Sequence, residues 1–181
     1  MNEVARAVYI PPGNAGILVT VDRMRQLIRQ SLTTPWIRWA LGQMVQSVPL
    51  SQMAPTVRIG TIYEWALHHL TYGYDGELSD SVLAMEEEIR SPEYLLHRIY
   101  QFGIAEGDCD DFVILLAALL LASGTPVRLI LSSARNDQEF DHVFLQAWSG
   151  TGWITLDGIH GAAMGWMIPM EHVTNLQVLA V

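Results

Sequence analysis

The sequence predicts an α+β fold in which a run of helices precedes an antiparallel sheet. Three observations carry this. Apolar residues recur at helical spacing through the first half of the chain. The stretch Phe112–Ala122 is almost wholly apolar and reads as a helix buried on every side. After it come short segments rich in β-branched and aromatic residues, Val127–Leu131, His142–Trp148 and Trp153–Leu156. Helices first and strands after imply a sheet packed on the buried central helix.

Taken in order, residues 1–20 contain Pro11, Pro12, Gly13 and Gly16 and end in Ile17-Leu18-Val19. They read as an extended arm closing on a strand-like piece. From Val21 the apolar positions Met24, Leu27, Ile28 and Leu32 follow a helical period. Thr34-Pro35 has the form of a cap with Pro at the first helical position, and Trp36, Ile37, Ala40, Leu41, Met44 and Val45 continue that second helix. Pro49 and Pro55 bracket a loop, and Ile59, Ile62, Trp65, Ala66 and Leu70 mark a third helix. Tyr72-Gly73-Tyr74-Asp75-Gly76 is a turn-rich loop. Ser91 then caps a short helix over Glu93–Gln101. Gly124 ends the central helix, Pro126 prevents its resumption, and Gly150-Thr151-Gly152 forms a hairpin turn.

Composition narrows the function classes. The chain has 181 residues, with 10 Lys+Arg against 19 Asp+Glu and a net charge of −9. A nucleic-acid binder needs a basic patch to release counterions, so no nucleic-acid partner is expected. Half the residues are hydrophobic and 16% are charged, against a usual charged share of about 25%. That excludes disorder and suggests a partner surface or a homo-oligomer. Phe112–Ala122 is too short for a bilayer span, and MNEVARAVYIPPGN lacks a basic end followed by a long apolar run, so a cytoplasmic protein is expected. The single cysteine, Cys109, rules out an internal disulfide and any multi-cysteine zinc site.

Cys109, His142 and Asp157 form the constellation with chemistry in it. Cys109 falls at the predicted N-terminus of the central helix, where unpaired N–H groups and the helix dipole favour a thiolate. His142 opens a predicted strand and Asp157 follows the next one, so pairing sets them side by side. A thiol nucleophile, an imidazole base and a carboxylate that orients it make a triad. The Cys109 N–H is a candidate oxyanion donor, with Tyr72 or Tyr74 as a possible second, against the plainer reading of loop aromatics. Asp108 as N-cap with Asp111 at the third helical position mimics a capping box. Asp110 and Asp111 are expected to point away from the sulfur. No metal is expected at these aspartates, since an EF-hand loop needs Gly and Glu at later positions.

Other conspicuous residues have plainer readings. His160 is a rival base in a Gly-rich loop. His68 and His69 are adjacent on a helix and diverge, while His97 and His172 read as surface positions. Trp36, Trp39, Trp65, Trp148 and Trp153 read as core. Met164, Met167 and Met170 with Trp166 make an apolar stretch that covers the sheet or meets a partner.

Together these motifs resemble the transglutaminase-like superfamily, and within it compact bacterial and phage-type members. The likeness rests on Gly107-Asp108-Cys109-Asp110-Asp111-Phe112, Gly124-Thr125-Pro126-Val127-Arg128, Asp141-His142-Val143 and Trp153-Ile154-Thr155-Leu156-Asp157, four motifs in fixed order. Tyr72–Asp75, Arg90-Ser91-Pro92 and Val19–Arg25 add weaker likenesses, so 21–181 is read as one transglutaminase-like domain after the arm. The resemblance implies a papain-like core with Cys109 as nucleophile, His142 as base and Asp157 as orienter, working on peptide or side-chain amides through a thioester without a cofactor. Larger animal members carry an aromatic after the cysteine and further domains. Asp110 stands there instead, which argues against calcium-controlled crosslinking. The expected activity is that of a cysteine protease, amidase or transamidase in a bacterial host. The alternative is a structural or assembly module of a phage or prophage particle, associated with the virion. A thiol redox sensor lacks a resolving cysteine.

Overall fold

The computed structural model describes residues 8–9, 13–45, 48–73, 86–87, 89–134, 139–158 and 163–181. Tyr74, His160 and residues 1–7 and 10–12 of the N-terminal arm lie outside the described residues. Among the described residues, five α-helices and eight strands follow one another: β1 (Val8–Tyr9), α1 (Asn14–Ser31), α2 (Pro35–Gln43), α3 (Pro55–His69), β2 (Leu70–Tyr72), β3 (Glu86–Glu87), α4 (Pro92–Phe102), β4 (Ala105–Gly107), α5 (Cys109–Ala122), β5 (Val127–Ser133), β6 (His142–Trp148), β7 (Trp153–Leu156) and β8 (Asn175–Ala180).

The helix α5 is the centre of the molecule. Every residue from Asp110 to Leu120 is buried, so no face can be left to water and each side needs a neighbour. Helices α1, α2, α3 and α4 pack around it, and strand β6 lies against it. Burying a Leu, Ile, Val or Phe side chain contributes about 1.5–3 kcal/mol, so this helix supplies a large part of the favourable term. Its end is fixed by Gly124 at φ 82°, a left-handed position that suits a residue without a Cβ.

The sheet that closes the core is antiparallel, in the order β7-β6-β5-β8. Leu129 faces Leu145 across β5 and β6, and Leu145 faces Leu156 across β6 and β7. All three join the core. The alternate positions Arg128, Gln146 and Thr155 run across the other face as a hydrogen-bonded row, with distances of 2.8 and 3.0 Å. Strand β8 was not legible as a strand: its exposure alternates along an edge, and it pairs only with β5 among the described residues. Arg25 of α1 donates to its Ala180 carbonyl at 2.7 Å. Of the Met-rich stretch before it, Met164 and Met170 are exposed.

The arm is corrected in its second half. Residues 14–20 are helical, not extended, and Ile17-Leu18-Val19 belongs to α1. Ile17 packs on the core and Thr20 and Val21 are buried, whereas Leu18 and Val19 face outward. That is a helical period, which an apolar triplet disguises as a strand. The Asn14 side chain accepts the Phe140 N–H at 3.0 Å, tying this start to the approach of β6. At α2 the expected Thr34 cap accepts the Ile37 N–H, and at α4 the Ser91 hydroxyl accepts the Tyr94 N–H at 3.2 Å. The third helix stops at His69; Leu70 instead begins β2, which pairs in parallel with β4 and ends with Tyr72 opposite Gly107. The tryptophans of the helices sit at the margin of the core rather than within it: Trp36, Trp39 and Trp65 are half-buried. Trp153 is exposed on the sheet beneath the Arg128 guanidinium. No helix among the described residues is long and apolar enough to cross a membrane.

Truncating the centre of α5 tests this architecture. Leu115→Ala is expected to cost about 2–5 kcal/mol, read from the urea midpoint. A smaller loss would show that α5 is not packed on all sides.

Candidate active site

Cys109 is the first residue of α5, and Asp108 caps the helix. The Asp108 carboxylate accepts the N–H groups of Asp110 at 3.2 Å and Asp111 at 3.4 Å, and its carbonyl accepts that of Phe112 at 3.1 Å. The first-turn donors of the helix are thus largely engaged by one residue.

His142 begins β6 and Asp157 follows β7 directly. Leu145 pairs with Leu156, so one further step of the register sets Asp157 across from Phe144. His142, two residues before Phe144, is then a diagonal neighbour on the same face. Their side chains meet, with His142 Nε2 3.0 Å from Asp157 Oδ2. His142 is 10% exposed and Asp157 1%.

Tyr63, which the sequence did not single out, holds Asp157. The buried Tyr63 hydroxyl donates to the Asp157 carbonyl at 3.0 Å. Burial first, and the Asp157 charge second, raise the Tyr63 phenol above its ordinary pKa, so it remains a donor. The Tyr63 and Phe112 rings meet edge to face, with centroids 6.1 Å apart. A Cβ on Gly158 would fall 2.2 Å from the Phe112 ring. Gly158 therefore turns the chain after β7 where no Cβ would fit, and the Asp157-Gly158 step is wedged against the helix that carries Cys109. The only signal of this in the sequence is a glycine after the aspartate.

Cys109 and His142 line one cleft of about 160 Å³. Ile17, Val21 and Met24 of α1 form its apolar side, with Phe140, Asp141 and Val143 at the mouth of β6. Asp110 lines the same cleft while 2% exposed, and one of its oxygens accepts the Asp111 N–H at 2.9 Å. Tyr72 is nearly half exposed at the end of β2 and is not among the residues lining this cleft.

The capping reading of Asp111 is corrected. Its side chain does not reach back in a capping box; its oxygens accept the backbone N–H of Arg90 at 2.9 Å and the Arg90 guanidinium at 2.6 Å. A Cβ at Gly107 would lie 2.7 Å from that of Asp111, which accounts for the glycine there. Burial, then the charge of Asp108, push the Asp111 carboxyl up to about 7 against the opposing pull of Arg90. Oxygens of Asp108, Asp110 and Asp111 lie within 4.8 Å of one another. They are built into the helix start: Asp108 serves the helix N–H groups, Asp110 accepts the Asp111 N–H at 2.9 Å, and Asp111 binds Arg90.

Away from the cleft, His69 stacks on Trp65 with centroids 4.3 Å apart, and His68 is exposed beside it. His97 packs against Trp36 rather than standing free at the surface, while the His172 side chain is 65% exposed.

Residues 43–158 match the sequence family described as the transglutaminase-like superfamily, an interval that takes in Cys109, His142 and Asp157. The chain belongs to the transglutaminase-like superfamily. Among solved structures it is similar to calcium-bound LapG of Legionella pneumophila, at 18% identity over 80% of this chain and 75% of LapG, with a TM-score of 0.48. It is also similar to Rad4–Rad23 crosslinked to an undamaged DNA, at 14% identity over 82% of this chain and 38% of that one, with a TM-score of 0.50. The calcium and the DNA are features of those structures, and likeness at such identities speaks to the fold alone. No curated protein sequence matches the chain. In this superfamily member, the fold is a mixed helix and sheet core with the single cysteine at the start of its central helix.

The Arg90–Asp111 pair yields a pH-dependent expectation. Asp111 titrates near 7 when folded and near 3.8 when unfolded. Its favourable contribution is thus complete below the unfolded value and is lost as pH rises through the folded one. Arg90→Met removes the guanidinium that opposes this rise and leaves the backbone N–H in place. Read from urea midpoints, its deficit relative to the parent should be larger at pH 8 than at pH 5 by about 1 kcal/mol, because pH 8 lies about one unit above the folded value. A deficit that is the same at both pH values would mean that Asp111 is not the group responsible.

Proposed function

We propose that the chain is a cysteine enzyme that cleaves amide bonds of a peptide or protein side chain. The observation that carries this is the 3.0 Å contact between His142 Nε2 and Asp157 Oδ2, on an imidazole that shares its cleft with Cys109. A carboxylate only accepts, so the proton on that side belongs to Nε2. Nδ1 is then the nitrogen that exchanges a proton with the thiol.

The reaction follows from these roles. Cys109 Sγ attacks the amide carbonyl carbon as His142 Nδ1 takes the thiol proton. The Cys109 N–H, at the positive end of α5, stabilises the oxyanion. His142 returns the proton to the leaving nitrogen, the C–N bond breaks, and a thioester remains. Water then adds with His142 as base, and the acid leaves as Cys109 is restored. Asp157 holds the imidazole in the required tautomer throughout. Transamidation would replace that water with an amine. Neither that acceptor nor a role as a phage-particle module has an observation of its own in its favour.

Four purified variants test the assignment on a peptide amide, with folding checked by circular dichroism. Cys109→Ala is expected to abolish turnover, and His142→Ala to lower it by about 10²–10⁴-fold. Asp157→Asn should leave a measurable remnant, because a carboxamide keeps part of the orienting role. His160→Ala should change little. In the parent, iodoacetamide should alkylate the native thiol near pH 6–7, below the free-thiol pKa of ~8.5. An inactive His160→Ala beside an active His142→Ala would mean that the base has been misassigned. A thiol that reacts only after denaturation would sink the enzyme reading.

A further inference from the structure

The structure assigns Tyr63 as a positioning residue of the site: its hydroxyl fixes the Asp157 peptide so that the carboxylate stays aimed at His142. This deepens the hydrolase reading and rests on it. Asp157 stands one residue past Leu156, the last position at which β7 pairs with β6. The ladder that orders β7 therefore ends before it, and the residue is buried, so its carbonyl cannot be left to water. Tyr63 meets that need from α3, 94 positions earlier, with a 3.0 Å hydrogen bond. The bond goes to the backbone and leaves Oδ2 to His142 Nε2, also at 3.0 Å.

A tyrosine suits this task. Its hydroxyl lies on the axis about which the ring turns, so ring flips leave the oxygen in place and only two torsions have to be fixed. Burial on α3 and the edge-to-face contact with Phe112 fix them. Phe112 lies three residues after Cys109 on α5 and also packs where a Cβ of Gly158 would fall. The phenol thus braces Asp157 against the helix that carries the nucleophile. Held above its ordinary pKa by burial and by the Asp157 charge, it stays a donor across the range in which a thiol and an imidazole exchange protons. Without the hydroxyl the Asp157 peptide is free to turn and swing its carboxylate off the imidazole. A misplacement of about 1 Å in a catalytic group can cost about 100-fold in rate.

Tyr63→Phe in the full chain tests this through the pH dependence of Cys109 alkylation by iodoacetamide, a readout that needs no turnover. The Asp157 carboxylate stabilises the imidazolium, which in turn stabilises the thiolate. The alkylation midpoint is therefore expected to rise by about half a pH unit or more in Tyr63→Phe. Asp157→Ala keeps the carbonyl but has no carboxylate to aim. In that background Tyr63→Phe should move the midpoint no further, a non-additivity that lost stability alone does not produce. With Asp157 present, kcat for a peptide amide should fall about tenfold while KM changes by less than about twofold. A midpoint that Tyr63→Phe leaves unmoved or moves equally in both backgrounds overturns the assignment, as does a loss confined to KM. Tyr63→Met, which refills the space without a donor, is read in the same way if Tyr63→Phe does not fold. Failure of both to fold overturns the assignment in favour of a purely structural role. A parent that alkylates at neutral pH but cleaves no peptide amide counts against the hydrolase reading, and the alkylation cycle still decides the role of Tyr63.

Discussion

A helix with no polar face has to be covered on all sides, and that requirement organises this molecule. Four helices and a sheet strand surround α5, so its flanks are closed to any substrate. What remains available is its N-terminal end, where the chain turns polar at Asp108-Cys109-Asp110-Asp111. Cys109 is half-buried there, at the boundary between the core and the α1 side of the cleft. The packing that stabilises the fold therefore also selects where a nucleophile can stand.

The parts of the site are held by different means. Cys109 is placed by a helix cap, a local device that needs only its neighbours in sequence. His142 and Asp157 depend on strand register and on one 3.0 Å contact. The Phe112 ring, lying between Tyr63 and Gly158, joins the two arrangements. A shift of α5 would press on the backbone beside Asp157, so helix and carboxylate cannot move independently. Arg90 fastens the first turn of α5 from the opposite direction through Asp111.

How much of this could be read in the sequence depended on the range of each interaction. The central helix, the hairpin of β6 and β7 and the Thr34 and Ser91 caps are set by residues close together in the chain, and their signals are local. The start of α1 was misread because Ile17-Leu18-Val19 is apolar at three successive positions although only Ile17 packs on the core. The parallel pair of β2 and β4 is three residues long on each side, too short for a periodic signal. The Tyr63 contact with Asp157 spans 94 positions and the Arg90 pair 21, and no local pattern announces either. Asp111 looked like a cap residue because an aspartate three positions into a helix is indistinguishable in sequence from one recruited by a distant arginine.

The charge-free run that makes α5 so well buried also has consequences before the molecule is complete. Phe112–Ala122 contains no charged residue and no proline to interrupt association, the composition of a segment that aggregates when exposed. Its cover comes from α1 on one side of it in the chain and from β6 on the other. During synthesis the helix leaves the ribosome while the strands that will lie on it are still unmade. Until β6 arrives, one flank of α5 faces solvent. Soluble yield should therefore depend on how long that flank stays bare, and hence on temperature, translation rate and the supply of chaperones.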